Sequence, residues 1–192
     1  MAEPDDKIII KKIIAGEINA LQELINRYKY QGFNLAYRIC RNRENAEEIL
    51  QDVFINIYSN LDKYNFTGKF STWFYRIVYN QSISYIRKKK KVNFSLNEFE
   101  DILEPIDEEK TIEEILVNSE TIKYLDQAMN ELSPDESAIL HLYYFEEKKV
   151  SFIAEITGFT ETTVKTRLFR TRKKLYSILK RLLKKEFSDF YG

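Results

Sequence analysis

The apolar periodicity of residues 46–61 constrains the fold more than any other feature of the sequence. Its apolar side chains recur every three or four residues, which places them on one face of an α-helix. They are Ala46, Ile49, Leu50, Val53, Phe54, Ile57, Tyr58 and Leu61. Similar spacing recurs along most of the chain, and only five Gly and three Pro interrupt its 192 residues. The sequence therefore predicts an all-α fold, with enough residues for two small helical domains.

The formal net charge is zero, but the charges are unevenly distributed. Residues 41–92 contain ten basic and five acidic side chains, and residues 137–192 contain twelve basic and six acidic ones. Residues 93–136 between them contain two basic and fourteen acidic side chains. This pattern is typical of two domains that face nucleic acid, joined by a segment that avoids it. Because residues 93–120 are also weakly periodic and contain Pro105, we expect an acidic linker there, between domains at 1–92 and 121–192.

Several classes of protein are disfavoured by what the sequence lacks. No apolar run reaches the roughly 18 residues of a membrane helix, and no signal segment is recognisable, so we expect a cytoplasmic protein without membrane insertion. The single cysteine, Cys40, lies among apolar residues and is predicted to be a core residue. The single histidine, His141, has no neighbouring cluster of metal ligands. With no phosphate-binding glycine loop and no paired nucleophile, we expect neither a metal, nor a cofactor, nor an enzyme.

The N-terminal half contains three candidate contact surfaces. The first is the polar face of the helix at 46–61, on which Ile55 is an unexpected exposed apolar residue. The second is the loop at residues 63–70, which combines aromatic and lysine side chains. The third is the polar face of a helix that Ser71 begins and that ends in a basic run at 87–91. Cations at the end of a helix also favour its dipole, which is the alternative explanation of that run. Residues 17–40 are predicted to form one or two helices, with Gly32 as a possible break.

The C-terminal half is predicted to contain a helix-turn-helix at residues 151–175. A helix before it begins with the capping box of Ser133 and Glu136 around Pro134. In the motif itself we expect Ser151 to cap the first helix, Gly158 to form the turn and Thr160 to cap the second. The second helix buries one stripe: Val164, Leu168, Thr171, Leu175 and Ile178. Its other face is basic, as major-groove recognition requires. A solvated amphipathic helix is the alternative, but it does not explain the aromatic side chain of Phe169 among these cations.

Two sets of motifs resemble a known family. The N-terminal set is NAEEILQDVF (residues 45–54) followed by FSTWFYRI (70–77), and the C-terminal set is LSP (132–134), IAE (153–155) and TVKTRLFR (163–170). Together they resemble bacterial RNA polymerase sigma factors of the extracytoplasmic-function (ECF) type. The resemblance covers about residues 15–92 and 121–183. It implies a protein that binds core RNA polymerase and directs promoter-specific initiation, recognising the minus-thirty-five and minus-ten elements and assisting strand opening.

The resemblance also implies roles for individual residues. Contacts with the polymerase, at the β′ coiled coil, would be made by Glu48, Gln51 and Asp52, and we add Ile55 of the same face. Contacts with the minus-ten element would be made by Tyr64, Asn65, Phe66, Thr67, Gly68, Lys69, Arg76, Asn80, Ser84, Arg87 and Lys88. Contacts with the minus-thirty-five element would be made by Thr162, Thr163, Lys165, Thr166, Arg167, Phe169, Arg170 and Lys173. Arg167 lies near the buried side of its helix, and Lys165 replaces a frequent Arg, which favours phosphate contact over guanine readout.

The implied partners are core RNA polymerase, through its β′ and β subunits, promoter DNA in double-stranded and melted form, and an anti-sigma factor. The acidic linker would pass near the polymerase active-site cleft. One alternative keeps the C-terminal DNA reader but makes the N-terminal helices a sensor or partner-binding domain of a transcriptional regulator. The aromatic loop and the lysine-tipped helix at residues 63–91 count against this alternative.

Overall fold

The computed structural model describes residues 5–64, 66–92 and 119–191. Every regular element in these ranges is helical, which confirms the predicted fold class. The first four helices are α1 (Asp6–Ile14), α2 (Ile18–Cys40), α3 (Arg43–Asn60) and α4 (Phe70–Val92). The second four are α5 (Ser119–Asn130), α6 (Pro134–Leu140), α7 (Val150–Thr157) and α8 (Glu161–Tyr191). A short 3₁₀ turn, Leu61–Lys63, follows α3, and a π-helical turn, His141–Phe145, follows α6.

Helices α1–α4 form an N-terminal bundle in which α2 packs against the other three helices. The buried stripe of α3 is close to the predicted one, but Tyr58 is 59% exposed rather than buried. Asn42 caps α3 by accepting a hydrogen bond from the backbone N–H of Asn45. Cys40 is buried as predicted, and burial raises the pKa of its thiol to about 11.

Gly32 does not break helix α2, which runs through it to Cys40. Instead, side chains of α3 and α4 lie close against the backbone of α2 at Gly32. A Cβ atom at this position would lie 2.6 Å from Cζ of Phe74 and 2.7 Å from Cδ1 of Leu50. The glycine is therefore a packing requirement, because α3 and α4 fill the space that a side chain would take.

Helices α5–α8 form the C-terminal domain, in which α8 packs against α5, α6 and α7. The predicted capping box of α6 is present, with Ser133 and Glu136 each bonded to the other's backbone N–H. Gly158 ends α7 with a φ of +75°, a left-handed conformation that glycine adopts without strain. Thr160 caps α8 by accepting from the N–H of Thr163, as predicted. The prediction for Ser151 is wrong, because α7 begins one residue earlier and Lys149 occupies its cap position.

The two domains contact each other directly. Helix α4 packs against α7, and α2 packs against α6. The side chain of Arg38 on α2 forms a salt bridge with Asp126 on α5, and that of Arg41 donates a hydrogen bond to the backbone carbonyl of Leu132. None of the helices in the described ranges is long and apolar enough to cross a membrane.

Candidate functional site

The polar face of α3 is exposed as the periodicity predicted. Glu48, Gln51 and Asp52 all lie on the surface of this helix. Ile55 is 58% exposed on the same face, so an apolar side chain stands beside two carboxylates and an amide. In the described part of the chain, no hydrogen bond or ion pair is seen for the side chains of Glu48, Gln51 and Asp52. Such a surface combines directional polar groups with an apolar contact, which suits docking of another protein.

The loop between α3 and α4 has an aromatic cluster at its centre. The Tyr64 ring lies 5.0 Å from that of Phe66 and stacks at 5.3 Å on that of Trp73, a half-buried residue in the first turn of α4. The Tyr64 hydroxyl donates to the carbonyl oxygen of Gly68, which closes the loop. Phe66 has a φ of 58°, so this segment turns sharply without a glycine at that position.

The remaining loop residues differ in their exposure. Thr67, Gly68 and Lys69 are exposed, whereas Tyr64 and Phe66 are half-buried. Asn65 lies outside the described residues. Trp73 was not among the predicted site residues, yet it supplies a wall of the cluster. Its position, three residues after a loop rich in aromatic and lysine side chains, is the sequence signal that could have identified it.

Helix α4 carries two different faces. Its predicted contact residues Arg76, Asn80, Ser84, Arg87 and Lys88 are all exposed, so the structure brings them together on one side. On the other side, Phe74, Tyr75 and Tyr79 are at least 95% buried. The polar side chains therefore project from a helix whose opposite face is fixed by aromatic packing.

The exposed face of α8 carries most of the residues predicted to contact the minus-thirty-five element. Lys165, Thr166, Phe169, Arg170 and Lys173 are exposed, while all five residues of the predicted buried stripe are buried. The Lys173 ammonium lies 4.7 Å from the centre of the Phe169 ring, which explains how an aromatic residue is accommodated among cations. Guanidinium, ammonium and hydroxyl groups on one exposed helix can donate to phosphates and base edges.

Three other predicted residues of α8 are placed differently. Thr162 is exposed, whereas Thr163 is half-buried and its hydroxyl is hydrogen-bonded to that of Thr160. The Arg167 guanidinium stacks over the ring of Phe159 at 4.2 Å and lies 3.9 Å from a carboxylate oxygen of Asp135. Arg167 is thus held at the edge of the buried side, as its position on the helix indicated.

Comparison with protein families assigns both halves of the chain. Residues 24–92 match the family model described as Sigma-70 region 2, and residues 122–175 match Sigma-70, region 4. The chain is also 31% identical to the ECF RNA polymerase sigma factor SigW of Bacillus subtilis, over 90% of this chain and 96% of that protein. The chain belongs to the ECF RNA polymerase sigma factors.

Further comparisons agree with the sigma-factor assignment. The chain is 30% identical to the RNA polymerase sigma factor SigV of Bacillus subtilis, over 78% of this chain and 84% of that protein. Its fold is similar to that of the sigma factor RpoE in a co-crystal structure with the anti-sigma factor NepR from Bartonella quintana. That match has a TM-score of 0.63, with 20% identity over 83% of this chain and 96% of that one.

Family membership settles the general function. This sigma factor binds core RNA polymerase and directs it to promoter DNA; it is a transcription initiation factor and not an enzyme. The alternative of a regulator with an N-terminal sensor domain fails, because the N-terminal half matches Sigma-70 region 2. The exposed faces of α3, α4 and α8 are therefore candidate contact surfaces for a polymerase and for DNA.

Proposed function

We propose that the two domains have different roles in this sigma factor. The domain at residues 1–92 binds the polymerase and assists strand opening, and the domain at residues 121–192 recognises the upstream promoter element. The acidic segment at 93–120 joins them, although most of it lies outside the described residues. The observation that carries the proposal is the arrangement of three exposed faces, on α3, α4 and α8, each fixed by a buried stripe on the opposite side. Rigid helices are suitable supports for contacts that must be made at defined positions.

The polymerase contact is proposed for Glu48, Gln51, Asp52 and Ile55 of α3. Carboxylates and an amide around an exposed Ile can pair with cations of a partner while the apolar side chain becomes buried. The expected partner surface is the β′ coiled coil, with further contacts to the β subunit.

The minus-ten contact is proposed for the loop at 64–69 and the polar face of α4. A base extruded from the melted strand loses stacking that aromatic side chains can partly replace. The Tyr64 ring already meets that of Phe66 edge to face and stacks on that of Trp73, so these rings form a wall rather than an open slot. Lys69, together with the cations of α4, would bind the backbone phosphates.

The minus-thirty-five contact is proposed for the exposed face of α8 in a major groove. Arg170 is exposed and is the strongest candidate for a specific base contact. Lys165 and Lys173 suit phosphate contacts, because an ammonium is a point charge without the bidentate fork of arginine. We also propose that an anti-sigma factor binds this protein. Its proposed location is the cytoplasm, as expected for a protein that acts with RNA polymerase.

The proposal can be tested by run-off transcription with core polymerase over a pool of random promoters. Wild-type protein should select templates that share two elements, one upstream of the other. The double variant Gln51→Ala/Asp52→Ala should lose co-purification with core polymerase while keeping its helical content, since both residues are exposed. A matched control, Glu17→Ala/Gln22→Ala, removes a carboxylate and an amide from exposed sites at the start of α2, where Glu17 makes no side-chain cap hydrogen bond. Equal polymerase binding by both variants would refute the α3 assignment.

A further inference from the structure

A cavity is lined by side chains of α2, of the start of α3 and of the π-helical turn after α6. Its volume is about 550 Å³, within the range of roughly 300–1,000 Å³ that is usual for cavities that hold small organic ligands. None of the residues proposed to contact the polymerase or DNA lines this cavity. The proposed function therefore leaves it without an explanation.

Two pairs of stacked rings form walls of the cavity. The rings of Phe33 and Tyr37 on α2 have centroids 6.0 Å apart and planes inclined by 12°. The rings of His141 and Phe145 in the π-helical turn have centroids 5.5 Å apart and planes inclined by 19°. Phe145 is 54% exposed, so apolar ring surface remains for a ligand to cover. Flat walls of this kind accept the face of a planar aromatic ligand.

Two guanidinium groups lie over these rings. That of Arg43 is 5.9 Å from the centre of the Phe33 ring, and that of Arg38 is 5.8 Å from the centre of the Phe145 ring. Each guanidinium is also paired with one carboxylate at the surface. Because a guanidinium carries several N–H donors in a planar fork, both groups keep donors for a further anion. The cavity therefore offers positive charge beside its aromatic walls.

The imidazole of His141 is a buried polar group with no partner in the described part of the chain. His141 is 4% exposed, yet neither Nδ1 nor Nε2 makes a hydrogen bond there. Oε1 of Glu146, which also lines the cavity, lies 3.6 Å from Nε2, beyond hydrogen-bond distance. Buried polar side chains are rarely left without a partner. A ligand that donates an N–H group in the cavity would supply one to the imidazole, to the carboxylate or to both.

We propose that this cavity binds a small planar aromatic anion that carries an amino group. Its ring lies against the stacked walls, its anionic group pairs with Arg38 and Arg43, and its amino group donates to His141 or Glu146. This chemistry is shared by nucleoside monophosphates with an amino-bearing base and by aromatic amino acids of the aminobenzoate kind. The site is independent of the proposed contacts with polymerase and DNA.

Binding can be measured by titration calorimetry on the full chain, without polymerase or DNA. The two probes are adenosine monophosphate and anthranilate, one from each source of this chemistry. Adenosine and aniline are the corresponding molecules without the anionic group. We expect a dissociation constant below about 1 mM for at least one of the two anions. Its uncharged counterpart should bind at least roughly tenfold more weakly, since hydrogen bonds to charged groups contribute at least that factor.

Two variants locate the binding in the cavity. Arg43→Ala removes one guanidinium from a side chain that is 75% exposed, so the fold should be kept. His141→Phe keeps a ring beside Phe145 and removes both ring nitrogens. Each variant should weaken binding of the anion roughly tenfold. Arg181→Ala on α8 is the matched control and should bind normally, because its side chain is 64% exposed, is likewise paired with one carboxylate and lies outside the cavity.

Failure of the wild type to bind either anion, or equal binding of an anion and its uncharged counterpart, would overturn the proposal. Unchanged affinity in Arg43→Ala would also overturn it, because the anion would then bind elsewhere, for example on the basic face of α8. The same holds for unchanged affinity in a His141→Phe variant that keeps its helical content by circular dichroism. Should His141→Phe lose helical content, the exposed Arg43→Ala decides the outcome alone.

Discussion

Helices α4 and α8 carry the two candidate DNA-reading faces, but they are supported in different ways. Helix α4 packs against α2 and α3 of its own domain and against α7 of the other. Helix α8 packs against α5, α6 and α7, all within the C-terminal domain. The buried side of α4 is largely aromatic, whereas that of α8 is largely aliphatic, with Val164, Leu168 and Leu175.

Because of this difference, we expect substitutions that affect DNA binding to be separable from substitutions that affect stability in α8, but less so in α4. Exposed cations of α8 can be removed without disturbing its buried stripe, so their loss should affect DNA binding alone. In α4 the aromatic residues serve the bundle core, the loop cluster and the domain junction at once. Substitutions on the aromatic side of α4 should therefore affect folding, the contact between the two domains and transcription together.

The largest expected effect is a loss of stability when the aromatic core around α4 is truncated. Phe74 is fully buried, and its ring lies 4.9 Å from that of Tyr28 and 5.7 Å from that of Phe54. Phe74→Ala should lower the free energy of unfolding by about 3–5 kcal/mol, because a large cavity remains. Urea titration followed by circular dichroism measures this loss. The exposed Ile55→Ala serves as the control, within about 0.5 kcal/mol of the wild type. A similarly small loss for Phe74→Ala would contradict the central position of α4.

The next effect concerns α8 and DNA affinity. Arg170→Ala should weaken binding to the upstream element by roughly 1–3 kcal/mol if its guanidinium makes a specific contact. Its free energy of unfolding should stay within about 0.5 kcal/mol of the wild type, since the side chain is exposed. Titration of duplex DNA at fixed salt measures the loss. Lys180→Ala removes an exposed cation farther along α8 and should bind normally; equal loss in both variants would indicate a non-specific charge effect.

Sequence periodicity was sufficient for those parts of the fold that depend on local spacing. It predicted the buried stripe of α8 and the exposed faces of α3 and α4, because a helix fixes which side chains share a face. It missed α1, although Ile9, Ile10 and Ile13 are buried there and Asp5 caps its start. Five of the nine residues of α1 are Ile, but they occur in two adjacent runs separated by two lysines, which obscures the helical period.

Contacts between distant residues could not be predicted in the same way. Gly32 suggested a break in α2, but its neighbours Phe74 and Leu50 come from two other helices and are invisible to local spacing. No partner was predicted for Tyr75 or Tyr79 of α4, and nothing in the local spacing indicates that their hydroxyls donate to Glu146 and Asp135 of the C-terminal domain. The candidate site was therefore predictable as separate faces, while the contacts between α4 and the C-terminal domain were not.

A smaller effect is expected at the start of α6, which belongs to the C-terminal domain but presents Asp135 to α4. Ser133→Ala removes the side-chain cap from the first turn and should cost about 1 kcal/mol of unfolding free energy. The same variant should loosen the hydrogen bond from Tyr79 to Asp135. It should therefore lower the fluorescence energy transfer between dyes on cysteines introduced at the exposed Ser59 of α3 and Lys180 of α8. Ser151→Ala is the control, because Ser151 does not occupy the cap position of α7. Equal stability of the two variants would show that the cap contributes little.

The smallest expected effect is a sensitivity of the junction to acid. Burial alone would raise the pKa of Glu146, but the nearby His141 ring, the hydrogen bond from Tyr75 and the Lys148 charge together lower it below its usual range. A carboxylate with a lowered pKa contributes stability above its ordinary value of about 4.5 and loses it as the pH falls through the folded value. Energy transfer between dyes at positions 59 and 180 should therefore decline in the otherwise unchanged protein below about pH 4.5. Glu146→Gln cannot lose a charge and should start from weaker closure with a flatter acid response. Superimposable acid curves for the two proteins would mean that the carboxylate of Glu146 does not hold α4 against the C-terminal domain.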